Sequence, residues 1–154
     1  MMDIIQRKPA GKKEKAIVKE IESYGFHVIW IKGTFSRYRE FRDGFMDQYI
    51  KGTSLKLGMT TQVNMDNGEI WNAVILSQEA MRIAKKSDHR NLIVDNLIHE
   101  LAHVIQIKEK DISLNDPDIF DKAHGLRFCE IYTDLIDKYD IRYAERDFYL
   151  GVLE

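Results

Sequence analysis

Cysteine is nearly absent from this 154-residue chain, which carries only Cys129. One thiol excludes an internal disulfide framework and a four-thiolate zinc ribbon; within the helical pattern 126–139 it reads as a small core residue. Prolines number two, so few helices are forced to break. No stretch approaches about 18 consecutive apolar residues, and the start has no apolar run of the kind a signal peptide needs. A membrane span is therefore not expected, and a reducing cytoplasmic compartment is the default. Charge of one sign is also lacking: the formal net charge is −2, which argues against a generally basic nucleic-acid binder. The exceptions are a basic start at residues 7–15 and the trio Arg37, Arg39 and Arg42, through which association with DNA is conceivable. The stretch 109–140 is acidic and reads as a solvated face.

What is present is enough for one domain over 1–154, with residues 1–10 free to be flexible. Ile17, Ile21 and Tyr24 share a face of a helix expected over 12–24, which Gly25 is placed to end. Residues 26–31 form a short apolar run bounded by glycines, a strand. Thr34 is placed to cap a second helix through about residue 50, with Phe35, Tyr38, Phe45 and Tyr49 as a core stripe and the arginines on the wet side. From Leu55 the period changes to two. Asp66-Asn67-Gly68 marks a turn, and the apolar run 70–76 completes a hairpin over about 55–77. A short helix follows at about 77–86, a long one at about 89–110, an Asp/Asn-rich loop over 111–123, and a last helix at about 124–139. The expected class is α+β: a small, mostly antiparallel sheet packed on the long helix and the C-terminal helix.

The long helix contains His99-Glu100-Leu101-Ala102-His103. Two imidazoles four residues apart can close on one Zn²⁺, and the glutamate between them can hold the water that the metal activates. At about 100° per residue, with His99 at zero, His103 lies at about 40°, Glu100 at about 100° and Gln106 at about −20°. Val94, Leu97, Leu101, Val104 and Ile105 spread over the opposite side. The polar trio thus stands in front of a hydrophobic anchor.

A catalytic zinc takes three protein ligands and leaves a position open. The extended metzincin pattern needs Gly at 106 and His at 109, where this chain has Gln106 and Glu109, so that class is excluded. His124 is the downstream histidine and the favoured third ligand; Asp121 and Glu130 are its rivals. His27, in a strand, and His89, about 15 Å from His99 along the helix, read as ordinary histidines. Glu100 is the expected general base. Tyr132, Arg127 and Tyr143 are candidates for stabilising the oxyanion.

His99-Glu100-Leu101-Ala102-His103, followed about twenty residues on by His124-Gly125-Leu126-Arg127-Phe128, resembles the SprT-like metalloprotease family, with its HExxH and His-Gly-x-x-Phe elements. Leu57-Gly58-Met59, Val74-Ile75-Leu76-Ser77 and Leu97-Ile98 agree with it upstream, so the likeness spans roughly residues 55–130. It implies a zincin-like fold, one catalytic zinc on His99, His103 and His124, Glu100 as catalytic base, and a protein or peptide substrate. Ala123 stands where the family often has Gly, and the zinc ribbon or basic tail by which many members reach DNA is missing. The rival expectations are a non-catalytic zinc-containing binding or regulatory protein and a nucleic-acid adaptor.

Overall fold

The computed structural model describes residues 2–38, 56–85, 92–114 and 123–141. They form four helices and a four-stranded mixed sheet, an α+β arrangement. In chain order these are β1 (Ile4–Ile5), α1 (Gly11–Ser23), β2 (His27–Ile31), β3 (Gly58–Asn64), β4 (Ile70–Ser77), α2 (Gln78–Lys85), α3 (Leu92–Lys108) and α4 (Leu126–Tyr139).

The sheet order is β1-β2-β4-β3. β3 and β4 are the expected antiparallel hairpin, Gly58 opposite Leu76 and Asn64 opposite Ile70. The turn closes through Met65 N–H to the Glu69 carbonyl at 2.8 Å, with Gly68 at φ +87°. A conformation so far into positive φ favours glycine at that corner. β2, however, pairs with β4 in parallel, His27 beside Ala73 and Ile31 beside Ser77. The sheet is therefore mixed, with two of its three ladders antiparallel as expected and one parallel. β4 lies between β2 and β3 and is buried over Ala73–Ser77, as its unbroken apolar run allows.

In the N-terminal third, Ile4 and Ile5 pair antiparallel with Ile31 and Trp30. One departure concerns the segment after Thr34, where a single 3₁₀ turn at Phe35–Arg37 ends at an extended Tyr38 instead of running on as helix. The Gly33 N–H donates to the Tyr38 hydroxyl at 2.7 Å, folding the ring back over Gly33, where a Cβ would lie 2.9 Å from that oxygen. The rest of the expected helix, including Arg39, Arg42, Phe45 and Tyr49, lies outside the described residues.

Alternation along the strands sends Trp30, Val74 and Leu76 to one face and Ile29, Ile31, Ala73 and Ile75 to the other. Phe35 and Tyr38 are core on the second face, as their place in the aromatic stripe suggests. The helices occupy the first face. α3 lies between α1 and α4, with Leu97, Ile98, Leu101 and Val104 buried against Ile17, Ile21, Phe128 and Tyr132. Cys129 is buried there as a free thiol. Among the described residues no helix is long and apolar enough to cross a membrane.

Candidate metal centre

His99 and His103 are one helical turn apart on α3, and their rings project from the same face. His124, just before α4, lies over them. The three Nε2 atoms then form a nearly equilateral triangle: 3.2 Å from His103 to His99, 3.2 Å from His103 to His124 and 3.0 Å from His124 to His99. These three side chains are close enough to hold one metal ion.

Three neutral imidazoles facing one point need a reason to do so, since each then aims a lone pair inward. For His103 the proton is placed on the other nitrogen, because Nδ1 lies 2.7 Å from the Gln106 side-chain oxygen, which only accepts. Burial drives the His103 pKa down to about 4, against the pull of the Gln106 bond toward protonation. Desolvation of its ring by the groups around it, followed by the neighbouring His103, takes His124 down to about 4. Burial, then the other two rings, holds His99 well below the ordinary histidine value. At neutral pH all three rings are uncharged, the form a metal requires.

Phe128 is the floor of the site. Its ring stacks on His103 at 4.7 Å and stands nearly perpendicular to His124 at 4.9 Å, while His99 tilts against it at 5.0 Å. One wholly buried aromatic therefore contacts all three imidazoles and limits their rotation. Above that floor the site opens: His103 is buried, His99 half-buried and His124 exposed. An ion held here keeps a side accessible to solvent.

Glu100 is not part of the ligand triangle. It is 4% exposed, and its Oε2 accepts a 2.6 Å hydrogen bond from the Thr60 hydroxyl on β3. Burial raises its pKa, opposed first by the charge of Lys56 and then by the Thr60 bond. The hairpin approaches closely here, since a Cβ added to Gly58 would meet the Glu100 Cγ at 3.5 Å. The positive charge of Lys56 also reaches His99, His103 and His124.

The candidates named from sequence divide as follows. His99, His103 and His124 are brought together, with Glu100 beside them. Glu130 is exposed and stands apart from the ligand group. Asp121, His89 and Tyr143 lie outside the described residues. Tyr132 is wholly buried behind Phe128, stacked on it at 5.6 Å, and Arg127 is engaged in a two-pronged pair with Glu109 at 2.8 and 2.5 Å. His27 stacks on Trp71 at 3.8 Å, away from the triangle. Of the basic residues proposed for DNA, Arg7 pairs with Glu14 and lies 4.6 Å over Trp30, and Arg37 pairs with Glu79.

Sequence reasoning missed Thr60 and Lys56 because nothing local links a strand to a helix some forty residues on. It also used Gln106 only to exclude a class, although the helical wheel had already set that residue beside His99. No protein-family model matches the chain, and neither do any curated proteins or solved structures.

Proposed function

We propose that this chain is a zinc-dependent metallopeptidase of the SprT-like kind, built on a zincin-like core and acting on protein or peptide substrates. One observation carries the reading: His124, nominated by the His-Gly-x-x-Phe element, converges with both motif histidines at 3.0 to 3.2 Å. With Zn–N bonds of about 2.0–2.1 Å, a tetrahedral zinc spaces its ligand nitrogens by about 3.3 Å. A six-coordinate ion with similar bonds spaces adjacent ligands by about 3.0 Å, so edge length alone does not choose between metals. The donor set does: three neutral imidazoles disfavour calcium and magnesium, which take oxygen ligands, and three histidines with an open side suit catalytic zinc.

When bound, zinc lowers the pKa of a coordinated water toward about 7 and polarises the scissile carbonyl. Glu100 takes up the water's proton and passes it to the leaving amine, a task for which a burial-raised carboxylate pKa is suited. Thr60 holds that carboxylate in place from β3. β3 is also one of the two outer strands of the described sheet, so an extended peptide can add along its far edge and present its scissile bond beside Thr60. Lys56 supplies positive charge where the carbonyl oxygen becomes negative.

Treatment with a zinc chelator is expected to abolish cleavage of a denatured protein, and one equivalent of Zn²⁺ to restore it. Cleavage that persists in protein shown to be metal-free sinks the proposal. Thr60→Val removes the hydroxyl while keeping the shape of the side chain. Zinc content should stay unchanged while kcat falls about 10- to 100-fold, through loss of orientation of the base; a normal kcat would show that Glu100 needs no support from β3.

A further inference from the structure

Gln106 is wholly buried, three residues after His103 on α3, and its amide reaches three separate parts of the centre. Its Nε2 donates to Asp111 Oδ2 at 3.0 Å and to the Ala123 carbonyl at 2.9 Å. A carboxylate and a carbonyl only accept, so that end of the amide must be the NH₂. The oxygen end is thereby aimed at His103 Nδ1, 2.7 Å away. This leaves the His103 Nε2 lone pair facing the other two rings. Ala123 is the residue before His124, so the same amide also anchors the backbone that delivers the third imidazole.

We propose that Gln106 is the positioning residue that assembles this centre. It sets the tautomer of one ligand and tethers the chain carrying another, and through Asp111 it holds the segment that follows α3. The inference rests on the metal-centre reading above but makes a separate claim, since the tautomer and the tether belong to the protein itself. An amide that merely fills a polar hole would make neither contribution.

Gln106→Met keeps most of the volume and removes every one of these bonds. In the metal-free full chain near pH 7.5, long-range ¹H–¹⁵N spectra are expected to show His103 of the wild type protonated on Nδ1 alone, and a mixture of tautomers in Gln106→Met. Titration with Zn²⁺ against a chromogenic chelator should show affinity weakened by about 10- to 100-fold, the range for losing a partner behind a ligand. Unchanged tautomer and affinity within twofold of wild type overturn the proposal. A second variant applies even if the methionine variant folds poorly. Gln106→Glu keeps an acceptor for His103 but turns a second oxygen against Asp111 and the Ala123 carbonyl, neither of which can donate to it. His103 still protonated on Nδ1 with zinc binding weakened at least tenfold supports the tether, and affinity within twofold of wild type overturns it. Wild type that binds no Zn²⁺ sinks the metallopeptidase reading instead, while a His103 tautomer released only on removing Gln106 still supports this one.

Discussion

Glu100→Gln is expected to retain a full equivalent of zinc and to lose peptide hydrolysis by about 10²- to 10⁴-fold, the usual share of a general base. The two halves of that result come from different geometry. The ligand group consists of His99, His103 and His124, with Glu100 outside it, so the substitution removes no donor to the ion. Glutamine has the shape of glutamate, and its oxygen can still accept from the Thr60 hydroxyl that now lies 2.6 Å from Oε2. The side chain should therefore stay where it is. What is lost is the ability to take up a proton, which an amide cannot do at any relevant pH. Elemental analysis of the purified variant, beside its rate on a denatured protein, checks both halves together. Normal turnover would remove Glu100 from the mechanism; loss of zinc along with turnover would mean that the carboxylate helps hold the metal.

His124→Ala has the largest expected effect on metal binding. His99 and His103 share a helix and come near one another wherever α3 forms, so the third ligand is what turns a weak two-point contact into a site. Removing it should weaken zinc binding by more than the roughly 100-fold typical of changes behind the ligands. Because His124 is exposed, the metal-free variant should unfold close to the wild-type temperature. The difference should appear only on adding zinc. A ligand at 100 times its Kd stabilises a folded protein by about 2.7 kcal/mol, and most of that increment should vanish in the variant. Thermal unfolding of both proteins with and without Zn²⁺ measures it. Undiminished stabilisation of His124→Ala would transfer the third position to another residue, with Asp121 the first to test.

Part of this centre is legible without coordinates because an α-helix converts spacing into direction. Steps of three and four residues put His99, His103 and Gln106 on one side of α3 and Leu97, Leu101 and Val104 on the other, and the latter are buried as that arithmetic requires. Period two marks β3, a short apolar run marks β4, and Asp66-Asn67-Gly68 marks their turn, for the same reason: each signal is local to its segment. The parallel seating of β2 on β4 is not local. Both partners show only short apolar runs, and either orientation hides them. The two-residue strand Ile4–Ile5 is likewise too short to carry any period.

Sequence by itself therefore determined the donors: which residues can bind a metal, which can take a proton, and which side of a helix each occupies. The tertiary structure decided their company. It brought His124 within 3.2 Å of two histidines more than twenty residues earlier, laid Phe128 under all three rings, and set Thr60 of a strand on the carboxylate of a helix. The physical reason is that periodicity follows from dihedral angles repeated along a segment, whereas these contacts follow from how whole faces pack, which no segment carries alone.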